Sequence, residues 1–259
     1  MSWSEATQTH LSPPVRRRNP RRKSLRLLAW NIRQGGGTRL AAIAAALAAH
    51  DADAVVLSEY RAGESGLRLR GALAALGYNH FSTPAPPPGG NGVLIAARLP
   101  LIEQPVFSAG LPEPHRLIAV EIGAVLLCGV YMPNLLKKVP YWQRLVEGLP
   151  LHAGRAALAI GDFNTCRAYL DEAGAIDATA HFMDKIEAIG FCDLWRRRNP
   201  ETREFSWYST RGNGFRIDHA FLSPVLAAWV REVRYSHAER LAGLSDHSPL
   251  ILEIDAGSS

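Results

Sequence analysis

The chain has 259 residues, of which 47% are apolar and 20% charged, and a formal net charge of +5. That balance excludes a wholly disordered, fibrous or coiled-coil protein and leaves room for a sizeable globular core. The charge is uneven: residues 1–24 hold six Arg or Lys against Glu5 alone, which leaves 23 basic and 23 acidic side chains in the rest. The basic pI therefore says nothing about the globular body.

Residues 1–24, rich in Ser, Thr, Pro and Arg, read as a disordered basic tail that either binds anions loosely or is simply a solvated extension. From Leu25 onward short apolar runs alternate with helical stretches, the pattern of a layered α/β fold in one catalytic domain, 25–259. Strands are expected at Leu25–Trp30, Ala54–Leu57 and Val93–Ala97, with helices at Arg39–His50 and Gly66–Leu76 and a Pro- and Gly-rich loop at Pro84–Gly90. Leu117–Ile122 and Val125–Tyr131, joined at Gly123, read as a hairpin, so a purely parallel sheet is excluded. Helices follow at Val139–Glu147 and Phe182–Ile189, and strands at Ala157–Ile160, Ile217–Leu222, Val230–Tyr235 and Pro249–Ile254.

No apolar run approaches the roughly 18 residues of a membrane span, and the N-terminal Arg cluster precedes no signal-like apolar region. Three cysteines, Cys128, Cys166 and Cys192, show neither a pairing pattern nor CxxC spacing. Free thiols in a soluble, cytoplasmic monomer without membrane contact are expected, nucleoid-associated if the source is bacterial.

Polar residues recur just past the carboxyl ends of strands: Asn31, Glu59, Asn134, and Asp162 with Asn164. Loops there converge on a crevice in open α/β sheets, so these positions suit a ligand, although a lone Glu59 is more often a solvated carboxylate. The segments WNIR (30–33), SEYR (58–61), YMPN (131–134), GDFN (161–164), FRIDH (215–219) and SDH (245–247) occur in that order. Together they resemble the motif series of the endonuclease/exonuclease/phosphatase superfamily, the DNase I-like metal-dependent phosphodiesterases, from Leu25 to Ile254. Residues 193–224 most resemble exonuclease III and its AP endonuclease relatives.

The resemblance implies an α/β fold, a four-layer α-β-β-α sandwich of two packed mixed or antiparallel sheets. It also implies a divalent-metal phosphodiester hydrolase acting on duplex DNA in repair, as AP endonuclease, 3′–5′ exonuclease or both. The alternative is a relative acting on RNA, a nucleotide or a phosphoinositide head group. Phosphodiester hydrolysis needs a positioned water, neutralised non-bridging oxygens and a stabilised leaving alkoxide, and Mg²⁺ or Mn²⁺ with oxygen ligands meets the last two needs. Glu59, Asn31 and Asp246 are the expected metal ligands, Asn31 through an amide oxygen that adds no charge.

The resemblance assigns Asp162 to the attacking water and pairs His247 with Asp218 as acid/base and orienter. Asn164 would place an amide at the same phosphate, and Tyr131 a phenol at the phosphate or leaving group. Gly161–Asp162 also reads as an ordinary turn. Asn134 is a phosphate contact or a turn former, and Arg216 a phosphate contact or a structural ion pair. Trp207, Phe215 and Ile217 match a pocket for a flipped-out abasic sugar, or else are core. Lys137, Lys138, Arg196, Arg197, Arg198 and Arg203 are candidate DNA contacts or a solvated face. The pattern departs from exonuclease III where the first motif continues QGGG, where SEY replaces QE, and where the stretch after GDFN lacks asparagines.

Overall fold

The computed structural model describes residues 24–172 and 177–255. Apart from Ser24, the expected basic tail lies outside them. Chain order begins with β1 (Ser24–Asn31), α1 (Leu40–His50), β2 (Ala54–Tyr60), α2 (Glu64–Ala75), β3 (His80–Ser82), β4 (Gly92–Ala97), β5 (Leu101–Glu103), β6 (Leu117–Ile122) and β7 (Val125–Tyr131). It continues through α3 (Val139–Gly148), β8 (Ala157–Asp162), α4 (His181–Ala188), β9 (Cys192–Asp193), α5 (Leu194–Arg198), β10 (Trp207–Tyr208) and β11 (Gly214–Phe215). Last come β12 (Asp218–Leu222), α6 (Pro224–Trp229), β13 (Val230–Tyr235), α7 (Ala238–Leu241) and β14 (Leu250–Asp255).

Two six-stranded sheets form, ordered β13-β14-β1-β2-β4-β3 and β5-β6-β7-β8-β12-β9. Each has one parallel pair at its centre, β1–β2 in the first and β7–β8 in the second, with antiparallel neighbours on both sides. Strand alternation distributes the apolar residues. Leu27 and Ala29 of β1 join Val56, Ile95, Leu127 and Ile160 between the sheets, while Leu28 and Trp30 face outward.

Helices cover both outer faces. In α1, Leu40, Ile43 and Leu47 fall on one side of the helix, and with Leu69 and Leu73 of α2 they bury the outer face of the first sheet. Tyr141, Trp142 and Leu145 of α3, with Phe182, Met183 and Ile186 of α4, cover the second. The result is the α-β-β-α sandwich, with mixed sheets. Gly129 of β7 permits the close approach of the sheets, since a Cβ there would lie 3.0 Å from both Val56 and Val93.

Candidate active site

The two central parallel pairs end at the same edge of the sandwich. Asn31 closes β1, Glu59 is the penultimate residue of β2, and Tyr131 and Asp162 close β7 and β8. A bulge between Ser58 and Tyr60, with Glu59 at φ 58°, takes the Glu59 side chain out of the strand's alternation. The Asn31 amide nitrogen donates to Glu59 Oε1 (3.1 Å) and to Asp162 Oδ2 (2.9 Å), joining acids from the two sheets. Its oxygen accepts the Arg33 N–H at 2.9 Å. The amide oxygen keeps a second lone pair, and the amide nitrogen bridges the two carboxylates. Glu59 Oε2 accepts from Gln34 N–H (2.7 Å) and from Asn91 Nδ2 (3.2 Å).

Gly161 and Asp162 are the last residues of β8, so GDFN begins as strand and turns only afterwards, where Asn164 takes φ 47°. The Asn164 N–H donates to Asp162 Oδ1 at 2.9 Å, and the Asn164 side chain donates to the Met132 carbonyl at 2.7 Å. Opposite Asp162 in the β8–β12 register stands Asp218. Its Oδ2 lies 2.8 Å from His247 Nδ1, and His247 Nε2 is 4.0 Å from Asp162 Oδ2.

The His247 backbone is fixed: its carbonyl accepts Trp30 Nε1 at 3.0 Å, and its N–H reaches Ser245 Oγ at 3.2 Å. Ser245 Oγ in turn donates to the Asn31 carbonyl at 2.6 Å. Burial works against a charged imidazole, but Asp218 and Asp162 outweigh it and hold the His247 pKa above its ordinary value. Burial, with Asp218 nearby, pushes the Asp162 carboxyl up.

Glu59, Asp162, Asn164 and His247 line one cavity of about 590 Å³. Asp246 lines it and accepts from Trp207 Nε1 at 3.2 Å. Trp207 and Phe215, paired across β10–β11 with ring centroids 5.6 Å apart, form one wall together with Ile217. Asn134 lies at the exposed rim. Tyr131 also lines the cavity; burial first, then Glu59 and Asp162, push its phenol up to about 12, so it stays a proton donor. Arg116 lies over the Tyr131 ring at 4.7 Å, and Asn91 hydrogen-bonds the phenol.

A model of the Endonuclease/Exonuclease/phosphatase family matches residues 28–247. The chain belongs to this family. No curated protein matches the sequence. Among solved structures, the family fold recurs in an AP endonuclease from Archaeoglobus fulgidus, 23% identical, with a TM-score of 0.78 over 89% of this chain and 99% of that one. It recurs in the 3′-5′ exonuclease NExo from Neisseria meningitidis, 25% identical, with a TM-score of 0.77 over 89% and 100%. A substituted variant of the 3′ phosphatase NExo from Neisseria, bound to product DNA hairpin, gives 25% and 0.75 over 89% and 99%. No helix among the described residues is long and apolar enough to cross a membrane.

Metal dependence is typical of the family, and the donor set here fits a hard divalent cation. Glu59, Asp162 and Asp246 all line the cavity, an excess of carboxylate oxygen that a phosphodiester could approach only with a cation between. Asp162, Asp218 and His247 also bring one ligand atom each within 4.8 Å of the others. In that trio, however, one donor is an imidazole nitrogen, whereas a hard divalent cation such as Mg²⁺ prefers oxygen. The oxygen donors on the Glu59 side fit better.

Other expectations need correction. Arg216 has no exposed surface: Nε meets Asp171 Oδ1 at 2.8 Å and Nη2 meets Asp193 Oδ2 at 2.7 Å, so it is a structural ion pair and cannot reach a substrate phosphate. Lys138, buried, donates to the Asn164 carbonyl, Thr165 Oγ1 (3.1 Å) and Asp177 Oδ2 (2.8 Å). Arg196 is spent on Asp171 and the carbonyls of Leu170, Asn199, Pro200 and Thr202, and Arg198 on those of Val230 and Arg231. Of the candidate basic contacts, Lys137, Arg197 and Arg203 face solvent without these ties. The sequence reading missed Asn91, which also accepts from Arg61 Nε at 2.7 Å. It precedes β4 instead of following a strand, so the strand-end rule passes over it.

Proposed function

We propose that this protein is a Mg²⁺- or Mn²⁺-dependent DNA phosphodiesterase that cleaves at abasic sites, at 3′ ends, or at both. One observation carries the reading: Asp162 stands between the Asn31–Glu59 pair on one side and the Asp218–His247 pair on the other, and Glu59, Asp162 and His247 line a single cavity. The likeness to the Neisseria exonuclease supports nucleic acid as the substrate.

Glu59 and Asp246, with Asp162 beside them, would hold the metal. Bound there, the ion supplies charge neutralisation at the non-bridging and leaving oxygens. Asp162, fixed by Asn31 and the Asn164 N–H, accepts the proton of the attacking water through the carboxylate whose pKa burial has raised toward that task. His247, held by Asp218, donates from Nε2 to a phosphate oxygen as negative charge develops. The Tyr131 phenol donates to the leaving group or phosphate, and Asn164 and Asn134 border the same space. Trp207, Phe215 and Ile217 offer an apolar wall to a deoxyribose that lacks its base.

An end-labelled duplex carrying one tetrahydrofuran abasic analogue, beside an intact duplex, tests this with Mg²⁺, Mn²⁺ or EDTA. Metal-dependent incision 5′ to the analogue, or shortening from the 3′ end, is expected. Asp162→Asn and His247→Ala should each lower kcat by about 10²–10⁴-fold. Well-folded protein that cleaves neither duplex would sink the DNA reading. A 3′-phosphorylated oligonucleotide belongs in the same experiment, because one Neisseria structure is that of a 3′ phosphatase.

A further inference from the structure

The turn after β7 is fastened at both ends. Met132 and Pro133 are buried, and Lys138 is tied to Asn164, Thr165 and Asp177. Between them Leu135 and Leu136 stand 81% and 65% exposed, yet both line the catalytic cavity, on a wall continued by Cys166 and Ala178. Leu135 also holds left-handed backbone, φ 58°, a conformation that disfavours a residue with a Cβ. Two large apolar side chains are therefore kept in water, one on strained backbone, beside a cavity that holds Glu59, Asp162 and Asp246. Such strain persists where function uses it.

Beyond Asn134 at the rim, polar groups beneath this wall bond within the protein. Asp177 Oδ1 accepts from the Thr179 N–H and hydroxyl, and its Oδ2 from Lys138. Thr179 Oγ1 meets Thr165 Oγ1, and the Asn164 amide donates to Met132. Past Asn134, Leu135 and Leu136 present aliphatic surface, suited poorly to a phosphate backbone and well to the face of a base. A paired duplex presents phosphates and groove edges, whereas an unpaired nucleotide presents its base face.

We propose that Leu135 and Leu136 are specificity-determining residues: they form a base-packing wall that selects DNA in which the nucleotide beside the scissile phosphate is unpaired. This rests on the DNA phosphodiesterase reading and names its substrate class. The test compares kcat/KM on a labelled blunt duplex with the same duplex carrying three mismatched 3′-terminal nucleotides, for the native protein and for the double variant Leu135→Ser, Leu136→Ser.

The native protein should favour the unpaired end by about tenfold, the scale of one base contact. In the double variant kcat/KM on the unpaired end should fall to the blunt-end value, chiefly through KM. Equal use of both ends by the native protein overturns the wall, as does a variant that keeps the preference or loses equally on both substrates. A thermal melt separates misfolding from lost contact, and the single variant Leu136→Ser, on unstrained backbone, repeats the test if the double variant fails to fold. Metal-dependent cleavage of both ends without preference defeats the wall alone, while no cleavage of any oligonucleotide defeats the DNA reading and the wall with it.

Discussion

Arg216 shows how much a side chain's partners decide its role. Its guanidinium, fully buried, joins Asp171 on the segment after GDFN to Asp193 at the N-cap of α5, and lies 5.1 Å from the Trp195 ring centre. Removing one member of such a network leaves the other charges buried and unmatched, which costs about 3–5 kcal/mol. Arg216→Ala should therefore lower the denaturant midpoint by that equivalent, and the protein that remains folded should keep its KM for DNA. A large rise in KM at unchanged stability would contradict this and restore a phosphate contact. The sequence left ion pair and phosphate contact open here because Asp171 and Asp193 lie 45 and 23 positions away. The Asp218–His247 pair is 29 positions apart and no easier to see by spacing; the motif resemblance alone pointed to it. For Lys138 and Arg196 residue type suggested DNA, and only folding shows them tied to carboxylates and carbonyls of the protein.

At the scale of elements, the site exists because each sheet carries a parallel pair whose carboxyl ends meet, so the β1, β2, β7 and β8 termini deliver Asn31, Glu59, Tyr131 and Asp162 to one place. The junction of β7 and β8 is tight at Gly161, where φ is 141° and a Cβ would lie 2.1 Å from the Val130 carbonyl oxygen. Gly161→Ala must move one strand or the other, next to Asp162. A stability loss of at least about 1–3 kcal/mol is expected from the backbone conformation alone. Activity should fall further than stability does, measured as kcat at a temperature where the variant is still folded. If kcat survives, β8 does not set the position of Asp162. The longer strands and amphipathic helices were legible in the sequence because apolar runs of five to eight residues and helical spacing over eight to twelve announce them locally. The short strands β3, β5, β9, β10 and β11, of two or three residues each, were not, since pairing with a distant partner creates them and no local pattern announces it.

Across the whole molecule, buried carboxylates matched by basic groups tie the second sheet to its surroundings, and this sets the response to acid. Burial alone would raise Asp193 and Asp171, but Arg216 and His219 outweigh it and hold both below the usual carboxylate range. Glu239, against His50 at 2.6 Å, is held down to about 2. A depressed folded pKa contributes stability that is fully present above the unfolded value, about 4, and is lost as pH falls through the folded value. Asp162 has the opposite sign: its raised pKa makes a contribution that is complete below about pH 4 and declines as pH rises, so it does not alter the slope on the acid side. Unfolding free energy should thus hold near pH 5 and fall steeply below pH 4. In Arg216→Ala, with Asp193 and Asp171 no longer held down by that guanidinium, the acid midpoint should move to higher pH. Chemical denaturation at a series of pH values reads both effects. Parallel curves for the two proteins, offset but with the same acid midpoint, would mean that the Asp171–Arg216–Asp193 network does not govern acid stability.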